Sequence, residues 1–366
     1  MSIVFERITI IGMGLIGSSI ARAARKYKLA DTIIGYDHNA AALSYAHEHG
    51  FIDVSASDVK SSVAGSNLVV MATPPAEFET ITMIMEPSLA AGSVVMDTAS
   101  VKRMTMQSIE SHLPAHCTFI PAHPIAGSQH AGVSAGRADL FDRCRVIVTP
   151  DKPVETAGLK LVTSFWQGMG ARVEAMPPEV HDMIYAHISH LPHLLSFAAR
   201  KIVAEDALNF PRLRDTFLRI GYSDPALWVE LFYMNNDNIM QALNRYMDAI
   251  AHMRKELAEG PHDSPGEGNA LQATNVLFPR IAAACLITTV MEAEQTTGLP
   301  FARFAGPGFA DFTSPAADAP DNHISAISDN YVEVEKALDQ YQRLLKRYTI
   351  MLKEEQYKEL YQALTQ

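Results

Sequence analysis

A glycine-rich hexapeptide near the N-terminus constrains the fold of this chain more than any other feature. Gly12-Met13-Gly14-Leu15-Ile16-Gly17 follows the β-branched run Ile8-Thr9-Ile10-Ile11 and opens an Ala-rich, helix-like stretch from 16 to 28. A G-x-G-x-x-G pattern between a strand and a helix is typical of dinucleotide-binding folds. An ordinary glycine turn of an α/β domain is the alternative interpretation.

Each position of the motif has an expected role. Gly12 allows the tight turn, Gly14 lets a pyrophosphate approach the backbone, and Gly17 lets the helix pack on the strand. Leu15 and Ile16 lie at the helix N-terminus, where free N–H groups bind phosphate. These five residues are therefore candidate cofactor ligands.

Asp37 is the next candidate cofactor residue, because it ends the second predicted strand 20 residues after Gly17 (37 − 17). A carboxylate at this position accepts a hydrogen bond from the ribose 2′-hydroxyl and repels a 2′-phosphate. We therefore expect NAD as the cofactor and NADP to bind less well. A protonated His38 would soften that repulsion.

The first 176 residues alternate short apolar runs with helical patterns, which predicts an α/β class with βαβ units and a parallel sheet covered on both faces. Strands are expected at 8–11, 32–37, 68–72, 93–97, 117–121, 145–149 and 172–175, and helices at 16–28, 40–48, 76–89 and 154–168. After Pro177-Pro178 the pattern is mostly helical, with one irregular stretch over 304–322. We expect a Rossmann-type dinucleotide-binding domain over 1–176, a helical substrate and dimerisation-type domain over 177–260, and a C-terminal helical module over 267–366. The turn-rich segment 260–268 reads as a linker.

The C-terminal module shows a faint similarity to the first helical domain. Ser189-His190-Leu191-Pro192-His193 resembles Val276-Leu277-Phe278-Pro279-Arg280, and each precedes an Ala-rich helix. Arg214–Phe217 is echoed by Ala310–Thr313, and Asn235–Ile239 by Ser328–Tyr331. The pattern indicates a degenerate repeat, with chance similarity between helical segments as the alternative.

Charge and composition argue against several classes of partner and of structural site. The net charge is −11, which disfavours nucleic acid and anionic membranes as partners. The three cysteines are odd in number and lack Cys-x-x-Cys spacing, so we expect reduced thiols rather than a disulfide framework or a zinc site. No leader and no apolar run of 18 residues is seen, and Ile281–Met291 comes closest. We expect a cytoplasmic protein.

Candidate site residues follow the predicted strands. Thr73 and Pro74 come after the strand at 68–72, at the carboxyl edge of the sheet, where they either pack on the cofactor or form a plain loop. Ser100 is a candidate both to cap the following helix and to hydrogen-bond a substrate hydroxyl, and the two roles do not exclude each other. His123 lies in the loop after the strand at 117–121, where an imidazole is suited to take the proton of a hydroxyl as the carbon loses hydride. A structural loop histidine is the alternative.

The helical part adds further candidates. His181, His190 and His193 fall on one predicted helix over 179–204, interrupted near Pro192, and the last two share a face. A third metal ligand is lacking, so no metal is expected. Arg219, shortly before the helix-start signal Ser223-Asp224-Pro225, suits bidentate recognition of a carboxylate, with a surface charge as the alternative.

Together these segments resemble the prephenate/arogenate (cyclohexadienyl) dehydrogenase family of tyrosine biosynthesis. The resemblance covers about residues 7 to 255. It is carried by the glycine motif and five further segments: Asp97–Lys102, His123–Gly127 with its extension to Leu140-Phe141, His181-Asp182, Ser189–His193, and Arg219-Ile220 before Ser223–Trp228. His-Pro-Ile-Ala-Gly followed by Ser-His-Leu-Pro-His is the specific part.

The resemblance implies NAD-dependent oxidative decarboxylation of prephenate to 4-hydroxyphenylpyruvate, or of arogenate to tyrosine. It implies that His123, assisted by Ser100, deprotonates the ring hydroxyl and that Arg219 binds a substrate carboxylate. It also implies that His181, His190 and His193 line the site and that Trp228 supports it.

Three departures from the family pattern affect these expectations. One extra residue, within Thr216-Phe217-Leu218, separates Asp215 from Arg219, which we assign as the family arginine because it is in register with Ser-Asp-Pro and Trp228. Gln129, a candidate substrate ligand, replaces a common glutamate and leaves the substrate preference open. The extra C-terminal module resembles a partner's domain, so the chain is either a homodimer or an intrachain pseudo-dimer. Phe309 and Asp311 match the family's glycine-Phe-x-Asp segment, but Ser314 stands where its arginine would be.

Two other functions stay open from the sequence. A β-hydroxyacid-type dehydrogenase would place a catalytic lysine in the helical domain, and Lys201 is the only lysine between Lys160 and Lys255. A non-catalytic NAD-binding sensor would bind cofactor and tolerate loss of His123.

Overall fold

The protein, described here from a computed structural model, divides into two compact units, Met1–Asp182 and Met183–Gln366. The structure describes residues 3–127, 130–150, 156–203, 211–259, 269–317 and 323–366. Gln129, the linker predicted at 260–268 and the start of the helix predicted at 154–168 lie outside these residues. The predicted α/β class with a following all-helical region is confirmed.

The first unit contains nine strands and six α-helices among its described residues. The strands are β1 Phe5–Ile11, β2 Ala30–Tyr36, β3 Val54–Ser55, β4 Leu68–Met71, β5 Val94–Asp97, β6 Thr118–Phe119, β7 Ala122–Pro124, β8 Arg145–Val148 and β9 Arg172–Ala175. The helices are α1 Leu15–Tyr27, α2 Ala40–Glu48, α3 Val59–Val63, α4 Phe78–Met85, α5 Arg103–Glu110 and α6 Ala157–Gly168; α7 Pro178–Tyr185 leads into the second unit.

Six parallel strands form the main sheet, in the order β3-β2-β1-β4-β5-β6. Alternate residues of β4 enter separate hydrophobic cores on the two faces: Leu68 and Val70 in one, Val69 and Met71 in the other. Because β1 lies between β2 and β4, the chain leaves it in opposite directions at its two crossovers. The carboxyl ends of β1 and β4 therefore flank the crevice where ligands of such sheets bind.

A second sheet, β7-β8-β9, corrects one expectation. His123 lies on the short strand β7, antiparallel to β8 and opposite Ile147, rather than in a loop after a longer parallel strand. The strand predicted at 117–121 stops at Phe119, and the chain then joins another sheet. The sequence pattern did not separate two short adjacent strands.

A buried ion pair fixes the start of β7. The Lys102 Nζ donates to Asp97 Oδ2 at 2.6 Å and to the Ala122 carbonyl at 2.8 Å, while the Ala122 N–H donates to Asp97 Oδ1 at 3.0 Å. Both charged side chains are fully buried. Burial lowers the pKa of Lys102, and the Asp97 carboxylate opposes that shift. The pair thus holds both backbone groups of the residue before His123.

The described residues of the second unit form helices joined by turns and short irregular segments, with no strand among them. Its helices are α8 Leu191–Ala199, α9 Pro211–Asp215, α10 Pro225–Met234, α11 Asn236–Glu259, α12 Ala270–Gln272, α13 Phe278–Thr297, α14 Pro307–Thr313, α15 His323–Asp329, α16 Tyr331–Lys353 and α17 Tyr357–Thr365. The helix predicted over 179–204 continues through a π turn, Ala186–His190, and ends at Ala199. The stretch predicted to be irregular over 304–322 contains α14.

The continuous helical segment Ala270–Thr297 has the length and apolar composition of a membrane span. Of its most apolar stretch of 18 residues, 61% is buried inside the structure. It also packs against α11 and α16. We therefore assign it as a core helix of the second unit.

We predict that Lys102→Met lowers the free energy of unfolding by about 3–5 kcal/mol, because the Asp97 carboxylate would remain buried without its cation. Urea unfolding followed by circular dichroism measures this. Lys160→Met removes an exposed lysine from the same unit and should change stability by less than about 0.5 kcal/mol. Equal effects for the two variants would contradict a structural role of the buried pair.

Candidate active site

The glycine motif forms a tight connection between β1 and α1. Gly12 has a positive φ of 95°, and a Cβ there would lie 2.7 Å from the Ala72 backbone. A Cβ on Gly17 would lie 1.8 Å from the Gly12 carbonyl oxygen. Both positions therefore require glycine for the reasons the sequence indicated.

Gly14 differs from the other two glycines, since a Cβ there would meet no atom within 4 Å. The space beside it is open, as the approach of a pyrophosphate requires. Helix α1 begins at Leu15 with no acidic residue in its first turn. The first N–H groups of a helix lack acceptors within it, so Leu15, Ile16 and Gly17 offer donors to an anion.

Asp37 lies against this turn. Its Oδ2 accepts a hydrogen bond from the Met13 N–H at 2.7 Å and its Oδ1 accepts one from the Asn39 N–H at 2.8 Å. The side chain is 12% exposed, which leaves an edge of the carboxylate accessible. Thr73 and Pro74 follow β4, where the Thr73 nitrogen lies beside Gly12. The structure thus brings the predicted cofactor residues together at the crevice, and their chemistry fits a dinucleotide.

His123 belongs to a buried hydrogen-bonded chain. Its Nδ1 lies 2.9 Å from His181 Nε2, and His181 Nδ1 lies 2.9 Å from Asp182 Oδ1. The Asp182 carboxylate also accepts from the N–H groups of Lys102 and Arg103, at 2.8 and 2.9 Å. His181 and Asp182 are fully buried, and His123 is 9% exposed.

The charges in this chain are set by burial and by the carboxylate. Burial lowers the pKa of His181, against the opposing pull of Asp182, so the imidazole is neutral. Burial alone would raise the pKa of Asp182, but the hydrogen bonds and charge of its neighbours outweigh it and the pKa is lowered. An ionised Asp182 therefore faces a neutral His181.

These hydrogen bonds determine the tautomers. A carboxylate only accepts, so His181 Nδ1 carries the proton and its Nε2 carries the lone pair. His123 must then donate from Nδ1 to His181 Nε2. The remaining ring nitrogen of His123, Nε2, carries a lone pair and can accept a proton.

Ser100 is not a helix cap. Helix α5 begins at Arg103 with Lys102 at the N-cap position, and the Asp182 carboxylate takes the role expected of a capping side chain. The capping alternative for Ser100 is therefore wrong, while its substrate-binding alternative stays a prediction. The sequence analysis named Asp182 only as part of the segment His181-Asp182 and assigned it no role. Its role follows from the hydrogen bonds that it accepts at the start of α5.

In the second unit, His193 and Trp228 stack with ring centroids 3.5 Å apart. The His193 Nδ1 donates to the Ser189 carbonyl at 2.7 Å, so its Nε2 carries the lone pair. Burial is the largest of the effects that lower the pKa of His193 to about 3, so the ring is neutral. His190 is fully buried, and its Nδ1 lies 3.1 Å from Asn235 Nδ2.

Arg219 pairs with Asp311 of α14 through both its Nε and Nη2. Each side chain is 23% exposed, so the guanidinium is held in place and still reachable. Lys201, the lysine a β-hydroxyacid-type dehydrogenase would need, donates instead to the Ala363 carbonyl near the end of α17. That contact gives Lys201 a structural role.

Comparisons with known proteins identify the family of this chain. A model of the "Prephenate dehydrogenase, nucleotide-binding domain" matches residues 20–175, and a model of the "Prephenate dehydrogenase, dimerization domain" matches 177–273 and again 264–366. A cyclohexadienyl dehydrogenase of Zymomonas mobilis is 30% identical over 268 residues, covering 71% of this chain and 91% of that protein. A prephenate dehydrogenase of Bacillus subtilis is 28% identical, covering 68% and 69%.

Among solved structures, prephenate dehydrogenase from Aquifex aeolicus in complex with hydroxyphenyl propionate and NAD+ has a TM-score of 0.63 and 28% identity. The match covers 81% of this chain and 98% of that one. The predicted family, Rossmann-type domain and NAD cofactor are thereby confirmed. This chain belongs to the prephenate dehydrogenase family and is an NAD-dependent dehydrogenase.

Proposed function

We propose that this protein oxidatively decarboxylates prephenate or arogenate in tyrosine biosynthesis, with His123 as the proton acceptor. The observation that carries this assignment is the hydrogen-bonded chain from Asp182 through His181 to His123, from which we infer that the lone pair of His123 lies on Nε2. The reaction needs such a base, because a hydroxyl-bearing carbon that loses hydride must also lose its hydroxyl proton. When bound, NAD supplies the hydride acceptor.

The residues of the chain perform the remaining steps. His123 Nε2 takes the proton from the ring hydroxyl, and Ser100 helps to hold that oxygen. As the C–C bond to the carboxylate breaks, carbon dioxide leaves and the bonding electron pair makes the ring aromatic. The phenol oxygen then regains its proton from His123, which returns to the neutral state.

Substrate binding falls to the second unit in this proposal. The Arg219 guanidinium binds a substrate carboxylate, because its planar donor pair matches that group. His190, His193 and Trp228 contribute neutral rings, which suit an alicyclic ring with a polar edge. His181 acts through His123 rather than by touching substrate, which refines its expected role. The three cysteines are free, which fits the cytoplasmic location we propose.

Cofactor choice follows from Asp37 and the motif around Gly14. We assign Asp37 to the ribose 2′-hydroxyl, the N–H groups of Leu15, Ile16 and Gly17 to the pyrophosphate, and Thr73 and Pro74 to packing on the dinucleotide. His38 pairs only at the surface, with 85% of its side chain exposed, so it offers little relief from Asp37's repulsion of a 2′-phosphate.

A direct assay tests the function. The purified protein, mixed with prephenate or arogenate and with NAD or NADP, should reduce NAD in the presence of at least one of the two substrates and NADP more slowly. The absorbance of the reduced cofactor measures this. Binding of NAD without turnover of either substrate would favour the cofactor-sensor alternative and contradict the proposal.

We predict that His123→Asn lowers kcat by about 10²–10⁴-fold, because the proton acceptor is lost. The dissociation constant for NAD should stay nearly unchanged, as measured by fluorescence titration. Unchanged turnover would remove His123 from the mechanism.

We predict that Asp182→Asn also lowers kcat, by about 10²–10⁴-fold. The Asn amide can donate to His181 Nδ1, which moves the His181 proton to Nε2 and turns the His123 Nδ1 into an acceptor. His123 Nε2 would then carry a proton and could not act as a base. Stopped-flow measurement of the first turnover separates this effect from product release.

Asp58→Asn is the matched control, since Asp58 caps α3 in the same unit by accepting from the Ser61 N–H at 2.8 Å. Both changes weaken a carboxylate contact at a helix start, but only Asp182 reaches a histidine. Equal turnover in the two variants would show that Asp182 is merely a helix cap.

A further inference from the structure

We propose that residues 270–353 take the place of a second subunit, so that the chain is a monomeric enzyme with one site. We call residues 186–259 the first copy and residues 270–353 the second copy. The proposal rests on the proposed function in one respect, namely that the second copy completes the substrate half-site through Asp311. The monomeric state stands on packing alone.

Both copies contain the same helix irregularity. Each has a π turn, Ala186–His190 or Ala273–Leu277, and each turn is followed by a proline at the second helical position, Pro192 or Pro279. The shift between the prolines is 87 residues (279 − 192). π turns are rare, so their recurrence with a proline in register argues against chance similarity of helices.

The long helices α11 and α16 bury equivalent positions. The buried residues of α11 include Ile239, Ala242, Leu243, Tyr246 and Ile250, and those of α16 include Val334, Ala337, Leu338, Tyr341 and Leu345. Every pair is separated by 95 residues (334 − 239). The two helices therefore present the same face to the core.

The copies contact each other with reciprocal hydrogen bonds. The Tyr246 hydroxyl donates to the Ala282 carbonyl at 3.1 Å, and the Tyr341 hydroxyl donates to the Leu195 carbonyl at 3.0 Å. Ala282 and Leu195 are related by the same shift of 87 residues as the prolines (282 − 195). The two rings lie edge-on with centroids 6.4 Å apart.

Such reciprocity defines an isologous interface, in which residue i of one subunit contacts residue j of the other and j contacts i. Here both partners belong to one chain. The surface that a family member with a single dimerisation domain would offer to a second subunit is thus already covered within this chain. Among the described residues, the face that a further copy would bind is therefore already occupied.

The copies differ where substrate binding is assigned. The shift of 87 residues places Leu277 opposite His190 and Arg280 opposite His193. The shift of 95 residues found for the long helices places Ser314 opposite Arg219 (314 − 219). The second copy has kept the residues of the interface and lost those of the site. One chain therefore has one set of substrate ligands.

The second copy contributes to that remaining set through α14. A Cβ on Gly308 would lie 3.4 Å from His193 Cε1, so this helix lies close against the His193 ring. Asp311 of the same helix binds Arg219 through both Nε and Nη2. The corresponding aspartate of the first copy, Asp215, is exposed. Asp311 is therefore a positioning residue that orients Arg219.

Light scattering after size exclusion tests the oligomeric state of the full chain. We expect the mass of one chain over a wide range of concentration, and one NAD bound per chain by fluorescence titration. A stable dimer would overturn the proposal. Neither measurement needs turnover, so a failed assay with prephenate and arogenate would reject the proposed function without deciding this point.

The contribution of Asp311 is tested by Asp311→Asn against Asp215→Asn in the full chain. Asp311→Asn should raise KM for the substrate about tenfold, equivalent to about 1.4 kcal/mol. It should change the dissociation constant for NAD little, and Asp311→Glu should restore much of the loss. Asp215→Asn should leave KM and kcat unchanged.

A double-mutant cycle separates positioning from mere packing. If Asp311 acts through Arg219, the change Asp311→Asn should add little to the KM of Arg219→Ala. Fully additive effects, or an Asp311→Asn variant with the KM of the unmodified protein, would overturn the claim that the second copy completes the site.

Discussion

The hydrogen bond between His123 and His181 is the contact on which the chemistry we propose for this protein depends. Two neutral imidazoles can share one hydrogen bond in either direction, and direction decides which nitrogen of His123 can accept a proton. The ionised Asp182 removes that ambiguity because it can only accept. The carboxylate is itself held by two backbone N–H groups at the start of α5. A helix start thus fixes the protonation pattern of the side chain that we propose as the proton acceptor.

A second buried charged group, the Lys102–Asp97 pair, positions the backbone and does not set the protonation of His123. The Lys102–Asp97 pair grips both backbone groups of Ala122, and His123 is the next residue. Such a pair costs desolvation, so apolar residues of the same volume would often be equally stable. A buried Lys102–Asp97 pair is useful if β7 must be positioned to within fractions of an ångström. Lys102 therefore contributes through its side chain to β7 and through its N–H to Asp182.

Patterns local in the chain were sufficient to predict much of this protein. The glycine motif, the buried strands and Asp37 follow from short-range rules, and the family segments supplied His123 and Arg219. Contacts between distant residues were not predictable, such as Asp182 with α5 or Asn235 with His190, because one residue's sequence neighbours do not reveal its spatial ones. The two-residue strand β3 was also too short for any periodicity, and the pattern over 117–121 did not show that the chain changes sheet after Phe119. The faint repeat gained weight from the two matches to the dimerization-domain model, from the recurring π turn, and from the hydrogen bonds that Tyr246 and Tyr341 each donate to the opposite copy.

The central claim, that His123 accepts a proton at Nε2, is open to direct measurement. In protein labelled with ¹⁵N-histidine, the NMR shifts of the His123 ring, assigned by their loss in His123→Asn, report which nitrogen carries the proton. The account predicts a neutral ring with the proton on Nδ1 and a lone pair on Nε2, with NAD bound and near neutral pH. A proton on Nε2 under those conditions would contradict it.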